Sequence, residues 1–156
     1  MVRSIYYNKM IYYIYALRNT IDNELYIGSK KHFDRVNSIQ AILNIRLSGH
    51  ICDGKGRKKD IKVYKHLNQI GWENVWIELV HIIDTSLWDH DLNEKEIIHN
   101  IHRIEGFYIR QRNAKLNSVI AGRTDSERWM EKVICPNCNI QLNRSSLLRH
   151  NKRSHL

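Results

Sequence analysis

The stretch IYYIYALRNTIDNELYIGS, Ile11 to Ser29, constrains this chain more than any other part of it. β-Branched and aromatic residues fill Met10 to Arg18, turn-forming types occupy Thr20 to Asn23, and Glu24 to Ser29 resumes the strand pattern. That order predicts a β-hairpin. Side chains alternate along a strand, so Tyr13 and Tyr15 share one face with Ile11 and Leu17, while Tyr12 and Ile14 face the other way. Tyr15 and Tyr26 then stand on neighbouring strands and project together across a short turn. By itself such a pair is ordinary packed aromatic surface.

Beyond the hairpin the periodicity changes. Ile39, Ile42, Leu43 and Leu47 recur at helical spacing, and the runs SGH and CDGKG predict the end of that helix. A basic segment from Lys55 to Lys65 follows, its second half reading as a helix that stops at Gly71. Val75 to Ile83, VWIELVHII, is apolar on both faces, which predicts a central strand covered on two sides. Leu92 to about Arg112 is the longest helical pattern, with Ile97, Ile98, Ile101, Ile104 and Tyr108 as its apolar stripe. Polar residues from Ala121 to Lys132 read as a linker.

Charge narrows the class of partner. With 25 Lys and Arg against 16 Asp and Glu, the chain carries a formal charge of +9, which calls for a polyanion. Nucleic acid ranks ahead of an anionic membrane surface. Lys55, Arg57, Lys58 and Lys59 are candidate phosphate contacts in the first part of the chain, and Arg144, Arg149 and Arg153 near its end. There is no run of 18 apolar residues to span a bilayer and no secretory leader pattern, so no membrane role is expected and an intracellular location is. Three cysteines, Cys52, Cys135 and Cys138, are too few for a disulfide framework. They fit a reducing compartment, the cytoplasm or nucleus of a host cell, and a metal site.

Two charged residues lie on apolar helix faces. Arg46 is four residues past Ile42 and three past Leu43, with His50 one turn further on, whereas Arg35 belongs to no such stripe. A guanidinium on an inward face is costly unless it meets an anion, and it can grip two phosphate oxygens at once. Glu105 falls within the stripe of Ile101, Ile104 and Tyr108. A carboxylate there is either paired, with Arg46 the available cation, or holds a metal such as Mg²⁺.

YIY followed by YIG, with Tyr15 and Tyr26 eleven positions apart, then R-x-x-x-H from Arg46 to His50, IEGFYI and LNSVIAGRT, resembles the GIY-YIG nuclease family. The resemblance covers Met10 to about Thr124 and looks like the versions found in large DNA viruses and phage. It implies an active site of Tyr15, Tyr26, Arg46, Glu105 and Asn117, with His50 as proton shuttle or phosphate contact, Mg²⁺ or Mn²⁺ held at Glu105, and DNA as substrate. Asn117 is promoted by the resemblance alone. Two departures stand out: Tyr13 replaces the glycine that opens the motif, and choosing Arg46 implies an insertion from Lys30 to Ser38. The Tyr13 replacement keeps a second reading open, a nucleic-acid-binding protein on the same scaffold without catalysis.

The other strong pattern is CPNCNIQLNRSSLLRHNKRSH. Cys135, Cys138, His150 and His155 stand in Cys-Cys-His-His order, and thiolates and imidazoles at this spacing close a tetrahedron around structural Zn²⁺. The loop between Cys138 and His150 is one residue shorter than the twelve usual in DNA-reading fingers. Its basic residues favour phosphate contact and a tethering role. The expected architecture is therefore α/β: a nuclease domain over residues 10–122 with a small mixed three-stranded sheet flanked by helices, a linker at 123–132, and a zinc finger at 133–156.

Overall fold

The first strand, β1 (Met10–Asn19), buries six consecutive residues, Tyr12 to Leu17. A strand does this only with a neighbour on each edge and a packed layer on each face. The computed structural model, whose described residues are 10–33, 38–85, 88 and 91–154, supplies both. β2 (Tyr26–Phe33) and β3 (Val75–Ile83) flank β1 in the order β2-β1-β3. Helices α1 (Ile39–Lys55), α2 (Lys62–Ile70) and α3 (Glu94–Gln111) cover the two faces.

Alternation along β1 divides the core in two. Tyr13, Tyr15 and Leu17 pack against Ile42 and Leu43 of α1 and Val63 and Leu67 of α2. Tyr12, Ile14 and Ala16 pack against Ile101 and Ile109 of α3. This is the α/β architecture of helices on a small sheet, with two corrections to the expected sheet. Both strand pairs are antiparallel, so the sheet is not mixed. β2 and β3 do run in the same direction, but β1 lies between them and no parallel ladder forms. β3 is also an outer strand, not the central one, and its Trp76 and Ile82 are exposed. Apolar residues on both faces are common to β1 and β3, and hydropathy alone does not tell which has neighbours on both edges.

Local chemistry sets the hairpin register. Asn19, buried at the end of β1, accepts hydrogen bonds from the Ile21 and Asp22 amides and donates to the Asp22 carboxylate and the Glu24 carbonyl. One side chain thus makes four of the turn's hydrogen bonds, and Asp22 accepts a further one from the Glu24 amide. Tyr15 lies opposite Gly28 in the resulting register. A Cβ on Gly28 would sit 2.6 Å from the Tyr15 hydroxyl oxygen, so the phenol occupies the space a side chain would need. On the outer edge of β2, Asn117 acts as a one-residue strand: its Oδ1 accepts from the Ile27 amide at 2.8 Å and its Nδ2 donates to the Ile27 carbonyl at 2.7 Å.

α1 runs through Ser48, Gly49 and His50, keeping Arg46 and His50 on one helix, and ends at Lys55 within the CDGKG run. A mid-helix glycine costs about 1 kcal/mol in propensity. Burial of His50 and Gly54 against the rest of the fold outweighs that cost. α3 opens with a capping box between Asn93 and Glu96. At Gly106 the chain near Ala121 crosses so closely that an added Cβ would lie 2.1 Å from the Ala121 carbonyl oxygen.

Residues 123–156 form a separate compact unit from residues 1–122. It holds α4 (Asp125–Met130), β4 (Lys132–Ile134), β5 (Gln141–Asn143) and α5 (Arg144–Ser154), with β4 and β5 paired antiparallel. The segment read as a linker is therefore partly folded, because Thr124 and Glu127 make a capping box that starts α4. Glu131 then receives both Arg123 at 3.0 Å and Arg144 at 2.8 Å.

Asn117→Ala removes both bonds to Ile27 and should lower the unfolding free energy by about 1–3 kcal/mol, read from urea denaturation. Gly28→Ala should cost a similar amount, about 1–3 kcal/mol, by displacing the Tyr15 ring. Denaturation midpoints equal to the parent's would show that neither contact carries stability.

Candidate functional site

Four of the expected site residues meet on the α1 face of the sheet. Tyr15, fully buried, shares its hydroxyl oxygen between Arg46 Nε at 2.8 Å and His50 Nε2 at 2.8 Å. The Tyr26 ring lies 6.5 Å from that of Tyr15 and edge-on to His50 at 5.8 Å. α1 brings Arg46 and His50 to this point because they are one turn apart on its inward face. β1 and β2 bring the tyrosines because Tyr15 and Tyr26 fall on the same face of adjacent strands.

Burial controls the charge states. It pushes the Tyr15 phenol well above its ordinary value, with the neighbouring Tyr26 adding to the shift and Arg46 opposing it. Burial followed by the Glu105 charge pushes Tyr26 up to about 12. His50 is driven the other way, down to about 3, by burial and then by the Arg46 charge. At neutral pH the cluster therefore holds two protonated phenols, a neutral imidazole and one guanidinium. Arg46 forms no ion pair with a carboxylate among the described residues, and it borders a cleft of about 140 Å³ that also touches Lys30 and His32. Its remaining N–H groups suit an anion.

Glu105 approaches from α3, on the other side of β2. Its partner is Ser29, whose hydroxyl donates to the carboxylate at 2.5 Å. The ion pair with Arg46 that its apolar surroundings suggested does not form among the described residues. Burial raises the Glu105 carboxyl above its ordinary value against the pull of the Ser29 bond. Because β2 is the outer strand and Gly28 carries no side chain, the Glu105 charge is felt by both Tyr26 and Tyr15. A part-buried carboxylate beside a hydroxyl, with no cation paired to it among the described residues, is a suitable oxygen donor for Mg²⁺ or Mn²⁺. Asn117 does not join this cluster. It clamps the backbone between Tyr26 and Gly28, a positioning contact.

Sequence reading missed Tyr64. Its hydroxyl lies 2.9 Å from His50 Nδ1, so the imidazole is held at both nitrogens. Tyr64 is buried against Trp72, with ring centroids 6.3 Å apart. The helical spacing of Val63, Tyr64 and Leu67 marks it as inward-facing, but no motif marks it as polar machinery.

The basic candidates behave differently from one another. Lys55, Arg57, Lys58 and Lys59 are exposed around the α1–α2 connection, with Lys58 paired to Asp53 at 2.8 Å. Arg149 and Arg153 are exposed on α5, whereas Arg144 is engaged by Glu131. In the same unit Cys135, Cys138 and His150 place their ligand atoms within 4.8 Å of one another, and Cys138 Sγ is 3.1 Å from His150 Nε2. Two thiols and an imidazole converging this closely make a soft donor set that fits Zn²⁺. His155, the fourth expected ligand, lies outside the described residues, as does Arg35. No helix among the described residues is long and apolar enough to cross a membrane.

No family model matches the sequence, and no solved structure matches it. Among curated proteins the chain is similar to Intron-associated endonuclease 1 of Enterobacteria phage T4, with 30% identity over 105 residues. The matched region is 67% of this chain but 34% of that protein, so the chain spans about a third of its relative's length. This similarity supports a nuclease relationship for the chain.

Proposed function

We propose that residues 10–122 form a GIY-YIG-type domain that hydrolyses phosphodiester bonds in DNA, and that residues 133–156 bind Zn²⁺ and add affinity for the DNA backbone. The observation that carries the reading is Arg46, which spends Nε on the Tyr15 hydroxyl and keeps the rest of a partly buried guanidinium free of carboxylates among the described residues. A partly buried cation placed beside two phenols is arranged for a phosphate. The similarity to a phage endonuclease points the same way.

In this mechanism Tyr15 takes a proton from the attacking water, Tyr26 orients the water or the scissile phosphate, and Arg46 stabilises charge developing on the phosphoryl oxygens. Glu105 is the residue that would hold Mg²⁺ or Mn²⁺, which when bound supplies Lewis-acid neutralisation of the phosphoryl group. His50, buried and held at both nitrogens, has no exposed edge for a phosphate and takes the proton-shuttle role. Asn117 holds β2, and hence Tyr26, in place. Tyr13, buried in the core with its ring 5.9 Å from that of Tyr15, fills the position of the motif glycine without displacing the phenol beside it.

Nicking of supercoiled plasmid with Mg²⁺, and its loss in EDTA, is the direct test. Glu105→Gln should abolish cleavage while DNA binding and the melting temperature stay near the parent's. Tyr15→Phe and Tyr26→Phe should each slow cleavage by about 10²-fold, as expected for groups that move or position protons. Arg46→Ala should be at least as damaging. A folded parent that binds DNA and never nicks it would establish the non-catalytic reading instead.

The second unit has its own test. Cys138→Ser, or truncation after Gly122, should release bound zinc, weaken DNA binding and flatten the dependence of log affinity on log salt, because fewer phosphates are neutralised. Cleavage at saturating DNA should survive in the truncated form. Identical salt slopes would show that the second unit neutralises no phosphates, and loss of cleavage at saturation by a folded truncated form would show that the unit completes the catalytic site.

A further inference from the structure

Resting on the nuclease reading, we propose that the cleft between Tyr13, Lys30, His32 and Arg46 is a second phosphate seat. It takes the backbone phosphate next to the scissile one on the same DNA strand and holds that strand in place for cutting.

The sheet register builds the seat. Partners in an antiparallel ladder share a face, so Tyr13 with Lys30 and Ile11 with His32 stand on the same side as Tyr15 with Gly28. That side is covered by α1, whose Ile42, Ile45 and Arg46 close the cleft of about 140 Å³ against Tyr13, Lys30 and His32. Neither Tyr15 nor Tyr26 lines this space, so it lies beside the phenols of the proposed centre and not over them. The pair of Tyr13 and Lys30 is one same-face step from the pair of Tyr15 and Gly28, roughly 7 Å along the strands. One nucleotide of sugar–phosphate backbone spans a similar length, and the Tyr13 and Tyr15 rings are 5.9 Å apart. Arg46 joins the two levels, bonded to Tyr15 through Nε and also lining the cleft.

Among the described residues the lining offers donors and no acid. Lys30 is exposed and makes no ion pair with any of them. Tyr13 is only 1% exposed, yet its hydroxyl makes no hydrogen bond among the described residues. His32 Nε2 is buried and likewise has no partner among them. Lys31 also lines the cleft, but its amine is already bonded to Glu94 at 2.8 Å. Enclosed polar groups are normally satisfied, so two left unmet on one cleft point to a partner from outside the chain. Lysine and arginine side chains only donate, and a phenol can donate too. The complementary ligand is a negatively charged acceptor, which a phosphodiester is. Ile45, 62% exposed, gives the cleft an apolar wall suited to the adjoining sugar.

Holding this phosphate changes binding and not chemistry. Lys30 and Tyr13 touch no reacting atom, and their contacts to the neighbouring phosphate are the same before and during hydrolysis. Such uniform binding appears in KM and leaves kcat unchanged. A seat for DNA also differs from a seat for a free anion such as inorganic phosphate, because only the first couples Lys30 to one particular linkage of the substrate.

The test uses a duplex oligonucleotide with a mapped cleavage position, in which one linkage at a time is replaced by neutral methylphosphonate. On the unmodified duplex, Lys30→Met should raise KM by about 10-fold and Tyr13→Phe by about 3-fold, with kcat and melting temperature at the parent's values. Lys31→Met removes the same charge from the amine held by Glu94 and should change KM by less than about twofold. For the parent, neutralising one linkage adjacent to the scissile phosphate should raise KM by about 10-fold, and Lys30→Met should lose almost nothing more on that duplex. At the other linkages the two losses should multiply. Equal KM for Lys30→Met and Lys31→Met would overturn the seat, and so would losses that multiply at every linkage, the pattern of a diffuse surface charge or a free-anion site. In EDTA, where no cleavage is needed, saturating DNA should shift the side-chain NMR signals of Lys30 and Tyr13, and unmoved signals would overturn the seat as well. A folded parent that shows those shifts and never nicks DNA would sink the nuclease reading and leave a seat for the DNA backbone standing.

Discussion

A buried hydroxyl has to be hydrogen bonded, and the one on Tyr15 organises the rest of this fold. β1 is covered on both faces and both edges, so the Tyr15 ring is buried and its hydroxyl is met by the protein. Arg46 and His50 meet it from α1, and Tyr64 meets His50 from α2. Leaving any buried member without a partner costs about 1–3 kcal/mol, which ties the hairpin and two helices into one arrangement. The same requirement explains why α1 continues through Gly49: a helix ending there would leave His50 unable to reach the row. Gly28 completes the arrangement by leaving room for the phenol.

The sheet's outer strand sets what surrounds that row. Tyr26 and Glu105 approach β2 from opposite faces, and they influence each other because β2 has no further strand beyond it. An outer strand presents unpaired amides and carbonyls, and here Asn117 covers Ile27 with its own amide. One side chain from the segment after α3 thus protects an exposed edge and holds the register that aims Tyr26.

In residues 123–156 a different constraint operates. A unit this small buries little apolar surface, and Trp129, Met130, Ile134, Ile140 and Leu148 all remain exposed. What converges inside it is polar or soft: Glu131 joining Arg123 and Arg144, and the thiols of Cys135 and Cys138 beside His150. A donor set of this kind is suited to supply by coordination what apolar burial cannot at this size.

The amino-acid sequence by itself determined the local elements, because their signals are local. Alternation and turn chemistry placed the hairpin between Ile11 and Ser29, helical spacing placed α3 close to its observed limits, and the same spacing put Arg46 and His50 on one face of α1. The order and spacing of Cys135, Cys138 and His150 along the chain likewise sufficed to group three metal-type donors. Tertiary structure decided what depends on contacts between distant segments. Only it made β1 central and β3 an outer strand, turned the sheet fully antiparallel, and gave Glu105 to Ser29 instead of Arg46. Tyr64 is the clearest case. It is 14 residues from His50 and 49 from Tyr15, and to hydropathy it is one more inward-facing aromatic residue. Its polar role exists only because two helices and a strand place three buried hydrogen-bonding groups in a single row, and no periodicity along the chain encodes a distance between segments.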